Sequence, residues 1–206
     1  MTEPTHYRGL LVDWGGVMTT NLFDSFRAFC EQEGLSADAV GGRFRSDPAS
    51  RELLVGLETG TLAEPDFEQG FATILGVAPT GLIDRMFAGG RPDHAMQDAV
   101  RHARAAGVRT GLISNSWGTS RYDRTLLGQL FDGVVISGEV GMRKPTPAIY
   151  ELGAEAIGLE PGACVFVDDL AFNLAPARGL GMATVHHVES GQTITELERL
   201  LAVDLR

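Results

Sequence analysis

Cysteine is scarce in this chain. Cys30 and Cys164 are the only two in 206 residues, and they stand far apart. Neither belongs to the paired spacing of a zinc or redox site, so both are expected as buried free thiols of a reducing compartment. Basic residues are also in short supply: 17 Lys and Arg against 27 Asp and Glu, a formal net charge of −10. Only short basic patches such as Arg101 to Arg104 occur, so a protein that tracks nucleic-acid phosphates is not expected. A small metabolite or a protein partner fits better. Long apolar runs are missing as well. None approaches the roughly 20 residues needed to cross a bilayer, and no basic start leads into an apolar stretch. The expectation is a cytoplasmic protein without a membrane partner.

What is present is a series of short apolar runs, expected as strands: Tyr7–Val12, Val108–Ile113, Gly133–Ile136, Ala163–Val167 and Met182–His186. Several lack polar alternation, the pattern of parallel strands covered on both faces. Helical patterns lie between them. Asp93–Ala106 stops at Gly107, Thr119–Leu130 follows the second run, Pro147–Ile157 stops at Gly158, Leu170–Leu180 ends among glycines, and Thr193–Ala202 comes last. Strand and helix in alternation predict an α/β fold, a doubly wound parallel sheet with right-handed crossovers. Residues 19–91 break the rhythm. They hold no convincing strand but five helical stretches: Leu22–Glu33, Ala37–Phe44, Ser50–Glu58, Pro65–Leu75 and Leu82–Phe87. This is too long for a loop and reads as a small helical cap inserted after the first strand. Residues 1–18 and 92–206 then form the core domain.

Ligands of open parallel sheets bind beyond the carboxyl ends of the strands. Asp13 follows the first run, Ser114-Asn115-Ser116 the second, a loop carrying Lys144 the third, and Asp168-Asp169 the fourth, with Asn173 one helical turn on. Three carboxylates gathered at one edge would raise one another's pKa. A hard cation such as Mg²⁺ relieves this through oxygen ligands. Lys144 and the Ser114 hydroxyl add donors suited to phosphate oxygens, and a carboxylate beside a metal-held phosphoryl group is placed to attack it. Gly15 and Gly16 allow close backbone approach at the first of these sites.

The ordered set resembles the haloacid dehalogenase-like hydrolase superfamily. Its motifs match Leu11-Val12-Asp13-Trp14-Gly15-Gly16-Val17, Leu112-Ile113-Ser114-Asn115, Gly141-Met142-Arg143-Lys144-Pro145 and Val165-Phe166-Val167-Asp168-Asp169 with Asn173. The resemblance spans almost the whole chain, because the family places its cap where residues 19–91 lie. It implies Asp13 as a nucleophile forming an aspartyl-phosphate, Ser114 and Asn115 as the phosphate-binding pair, and Lys144 holding nucleophile and phosphate. It also implies Asp169 and Asp168 as Mg²⁺ ligands, together with Asp13 and the backbone carbonyl of Gly15. Asn173 would orient Lys144 or the acidic loop.

One position departs from the pattern. Most phosphatases of the family carry a second Asp two residues after the nucleophile, as acid and base. Here that residue is Gly15. Three readings follow: a phosphatase of the sugar-phosphatase-like branch that shares the Asp-x-Gly start and acts on a small phosphate monoester; a non-catalytic or regulatory binder; or a metal-free 2-haloacid dehalogenase, against which the acidic doublet argues. Asp24 and Glu139 are candidate substitutes for the missing acid. His186-His187 is read as structural, since neighbours on a strand face opposite ways. Arg143 is divided between surface charge and substrate contact. Phe23, Phe26 and Phe29 are read as helix packing, with Phe23 placed to meet a substrate. A homodimer through an apolar cap face is left open.

Overall fold

A computed structural model describes residues 6–206. Five parallel strands form one sheet: β1 (Gly9–Val12), β2 (Arg109–Ser114), β3 (Gly133–Ile136), β4 (Cys164–Asp168) and β5 (Ala183–His186), in the spatial order β3-β2-β1-β4-β5. The first strand in sequence is the middle one in space, so the order reverses there, the kind of point at which open sheets bind ligands. β1 is buried along its whole length, and its side chains alternate between two cores. Leu10 and Val12 enter the core on one face, and Leu11 enters the core on the other. That arrangement explains an apolar run with no polar alternation.

The helices in chain order are α1 (Leu22–Gln32), α2 (Ala39–Ser46), α3 (Pro48–Glu58), α4 (Glu64–Leu75), α5 (Leu82–Phe87), α6 (His94–Ala105), α7 (Arg124–Leu130), α8 (Ser137–Val140), α9 (Pro147–Ala156), α10 (Ala171–Gly179) and α11 (Ser190–Leu201). Met96, Val100 and Ala103 of α6 share one sheet-face core with Leu127 of α7 and Leu197 of α11; Ile149 and Tyr150 of α9 share the other with Leu174 of α10. The single helix expected over Thr119–Leu130 is broken. Tyr122 is extended, and the Asp123 carboxylate accepts the amides of Thr125 (2.9 Å) and Leu126 (3.1 Å), so α7 starts at Arg124. The same kind of cap, Glu189 on Gly191 and Gln192, starts α11 at Ser190, three residues before the expected Thr193.

Helices α1 to α5 lie between β1 and β2 and bury a core of their own around Phe29, Phe67, Phe71, Leu82 and Met86. The chain leaves the sheet layer and returns to it side by side, where Thr19 and Pro92 form an isolated antiparallel bridge. Trp117, from the loop after β2, reaches into this helical insertion. Its ring lies 5.2–5.7 Å from those of Phe26, Phe44, Phe67 and Phe87. Aromatic pairs of this kind contribute about 0.5–1.5 kcal/mol each beyond area burial, so Trp117 pins the insertion over the sheet edge. Arg121 adds ion pairs to Glu64, at 3.0 Å, and to Asp84.

Candidate active site

Asp13 is the first residue beyond β1. Val12 pairs with Val167 of β4, and the Asp13 amide donates to the Val167 carbonyl at 2.9 Å. That register sets Asp13 beside Asp168, the last residue of β4. Lys144 arrives from the loop after α8 and is fully buried. Its Nζ lies 2.8 Å from Asp13 Oδ1 and 2.7 Å from Asp168 Oδ2. A buried ammonium is costly unless paired. Burial pulls the Lys144 pKa down, but Asp13 and Asp168 outweigh it and hold the side chain protonated.

The rest of the floor is cross-braced. Asp168 accepts the Leu170 amide at 2.9 Å and the Asn173 amide group at 3.0 and 3.1 Å, besides Lys144. Asn173 thus holds the acidic loop, and Tyr150 in turn donates to the Asn173 carbonyl at 2.7 Å. Asn173 Oδ1 is buried with no hydrogen-bond partner. Asn115 accepts the Lys144 amide at 2.8 Å and donates to the Lys144 carbonyl at 3.1 Å, so its side chain clamps the lysine loop. The Ser114 hydroxyl is buried and 2.8 Å from the Tyr122 hydroxyl. Asp13 Oδ1 takes both the Trp14 amide, at 2.7 Å, and Lys144; Oδ2 takes neither.

Asp13, Asp168 and Asp169 each offer an oxygen, all within 4.8 Å of one another, the one such cluster among the described residues. Burial raises the Asp13 pKa against the pull of Lys144, with Asp168 and Asp169 adding to the rise. Asp169 is pushed up to about 6 by burial and by Asp168. Gly16 sits against this residue with φ +76°, and a Cβ there would lie 2.4 Å from Asp169 Oδ2. At Gly15 a Cβ would meet Leu22 Cδ1 at 2.6 Å. The space of the missing second acid is occupied by a leucine of the insertion.

Neither expected substitute for that acid lies here. Asp24 pairs with Arg27 at 2.8 Å and Glu139 pairs with Arg124; neither lines the cavity over Asp13. Glu58 does, and sequence reasoning passed over it. It is the last residue of α3, a helix started by Asp47 capping Ser50 with Pro48 in the first turn. The core grips this helix end, since Ser137 Oγ donates to the Glu58 carbonyl at 2.5 Å. Glu58 is 5% exposed; its Oε2 lies 2.5 Å from Arg143 Nε and 3.5 Å from Asn115 Nδ2. Burial pushes its carboxyl up to about 7, against the lowering pull of Arg143 and Lys144. One signal was available: a carboxylate in the last turn opposes the helix dipole. Arg143 is therefore a cavity residue. His186 contacts the Asp169 carbonyl at 2.9 Å and His187 contacts Thr193 at 2.9 Å, so the two imidazoles serve different partners. Both cysteines are buried and unpaired. Among the described residues, no helix is long and apolar enough to cross a membrane.

The family described as haloacid dehalogenase-like hydrolase matches residues 7–181. A bifunctional epoxide hydrolase 2 of Sus scrofa is 31% identical over 131 residues, which are 60% of this chain and 24% of that one. A phosphatase of Mycobacterium tuberculosis is 35% identical over 111 residues, 52% of this chain and 50% of that one. The chain thus spans about a quarter to a half of these relatives. A solved family enzyme from Bacteroides thetaiotaomicron, in complex with magnesium and inorganic phosphate, has the same fold; its TM-score is 0.65 at 21% identity, over 88% of this chain and 94% of that one.

Proposed function

Because the chain belongs to the haloacid dehalogenase-like hydrolases, we propose that it is a Mg²⁺-dependent phosphatase that hydrolyses a small phosphate monoester through an aspartyl-phosphate on Asp13. The observation that carries this reading is the convergence of Asp13, Asp168, Asp169 and Lys144 on one point.

The donor set fits a divalent cation. Three carboxylates and one ammonium carry a net charge of two minus, which a dication neutralises. The oxygens, within 4.8 Å of one another, are gathered close to the roughly 4.2 Å that spans two opposed Mg–O bonds. Asp13 and Asp169, with the Gly15 carbonyl, are the ligands in this reading. Asp168 contributes from behind, since Lys144, Asn173 and Leu170 already occupy it. Bound there, the ion would draw charge from the phosphoryl oxygens and hold them toward Asp13. The phosphatase relative and the magnesium and phosphate complex support the choice of chemistry.

Asp13 Oδ2, the oxygen not engaged by Lys144 or Trp14, attacks phosphorus. Lys144 keeps Oδ1 anchored and faces the charge that develops on the phosphoryl group. Ser114 holds a phosphoryl oxygen in exchange for Tyr122, and Asn115 acts by fixing the Lys144 loop. Glu58 stands in for the acid absent at Gly15. It gives its proton to the leaving oxygen as the P–O bond breaks, and Arg143 stabilises the carboxylate that remains. The carboxylate then takes a proton from the water that attacks the aspartyl-phosphate, which frees phosphate and restores the Glu58 acid and the Asp13 carboxylate. Helices α1 to α5 act as a cap that brings Glu58 to the core.

The test is phosphate release from a panel of monoesters with Mg²⁺, then with EDTA, then with Mg²⁺ restored. Activity that follows the metal is the expected result. Binding of phosphate esters without turnover would favour a regulatory binder, and metal-independent halide release would favour a dehalogenase.

A further inference from the structure

The cavity above Asp13 has a polar floor and walls of carbon. Resting on the phosphatase reading above, we propose that its substrate is the phosphate monoester of an apolar alcohol rather than of a sugar. The upper wall is built from Phe23, Phe44, Leu54, Val55 and Phe172, and among the described residues no Ser, Thr, Tyr, Gln or His lines it; Ser114 belongs to an adjoining pocket at the floor that shares Gly15 and Asn115 with this one. Its two amides, Asn115 and Asn173, belong to the braced floor. The charged groups of the wall are partly engaged. Arg45 pairs with Asp38, Arg51 donates to the Arg45 carbonyl at 2.7 Å, and Glu58 pairs with Arg143. A sugar entering here would bring several hydroxyls against Phe23, Phe44, Leu54, Val55 and Phe172, where they lose water and regain no hydrogen bond, leaving only the guanidinium groups to receive them.

The rim carries the second part of the argument. Four large apolar side chains are exposed among the described residues: Phe23, Val55, Phe172 and Val188. Three of the four line this one cavity. Scattered exposed apolar residues need no explanation, but clustered ones mark a binding surface. The first helix of the insertion presents Phe23, its third presents Val55, and α10 of the core presents Phe172, so the apolar rim is assembled from three elements that meet only here. The cavity volume is about 410 Å³, within the roughly 300–1,000 Å³ of small-molecule sites.

The experiment is a series of n-alkyl phosphates from ethyl to decyl, with glucose 1-phosphate and glucose 6-phosphate alongside, all with Mg²⁺. Each added methylene is expected to raise kcat/KM about fourfold until the wall is covered, and the sugar phosphates should fall at least about 100-fold below the longest ester. Phe172→Ser, at an exposed position, should cut the gain per methylene to about twofold or less. Val188→Ser, exposed but outside this cavity, should keep the full gain. A flat alkyl series, or sugar phosphates hydrolysed as well as the decyl ester, would overturn the inference and leave the phosphatase reading standing. No phosphate from any ester would overturn both.

Discussion

At the sheet edge nearly every polar atom is held by another, whereas the helical insertion presents mostly carbon to the same cavity. Lys144 is fixed by Asp13 and Asp168 through its ammonium and by Asn115 through its backbone. The facing wall has Phe23 and Val55, each 41% exposed and joined to nothing polar. The floor therefore has one workable arrangement, because moving any member leaves a buried charge or donor unpaired. The wall is non-directional and tolerates exchange among apolar residues of similar volume. The proposed chemistry uses the rigid half, and the proposed choice of substrate the adaptable half. Glu58 belongs to neither plan alone. It is a helix-end residue of the insertion, but its partners, Arg143 and Asn115, are core residues.

The contrast breaks most visibly at Asp13. Asp13→Asn keeps the shape and removes the proposed nucleophile, so Mg²⁺-dependent phosphate release should fall by at least about 10⁴-fold, with an unchanged circular dichroism spectrum. Residual activity above a tenth of the parent would mean that phosphorus is attacked by another group. Next in size is Lys144→Met. It leaves Asp13 and Asp168 facing each other without their cation, at a cost of about 3–5 kcal/mol, measured as a lower midpoint of urea unfolding in metal-free buffer. A shift below about 1 kcal/mol would show that the floor is not held by this ion pair.

Glu58→Gln sharpens the comparison with a smaller effect, about 10²–10³-fold in kcat. Its pH behaviour separates proton transfer from mere shape. In the proposed mechanism the acid form is the active one in the first step, and burial raises its pKa from 4.5 to about 7. Activity should therefore decline as pH rises through about 7, and this limb should vanish in the glutamine variant. Linkage gives a matching sign for stability. A carboxyl that binds its proton more tightly when folded adds stability in full below pH 4.5, and loses it as pH rises through about 7. A Glu58→Gln profile that still declines near pH 7 would assign the limb to another group.

Much of the floor was legible because strand ends are readable. An apolar run stops where the sheet stops, so Asp13, Ser114 and Asp168 could be placed at one edge before any coordinates were known; the structure brings Asp13, Asp168, Asp169 and Lys144 together there. What was not legible is how the side chains divide the work. Asn115 clamps Lys144, and Ser114 has Tyr122 as its partner, because loops fold back by distances no spacing encodes. Asp24 and Glu139 were the residues expected to replace the missing acid. Both lie in plausible stretches of sequence, and both point to arginines outside the cavity.

The sequence by itself determined the parallel sheet, the helical insertion after its first strand, and the acidic and basic residues carried to the sheet's carboxyl edge. Those follow from local periodicity and chain order. Only the tertiary structure decided that Leu22 fills the space beside Gly15, that Glu58 lines the same cavity, and that Phe23, Val55 and Phe172 form one rim. Apart from Leu22 and Gly15, these contacts join segments separated by tens to more than a hundred residues. Packing against a rigid sheet selects them, and no local pattern of residues records where two such surfaces will meet.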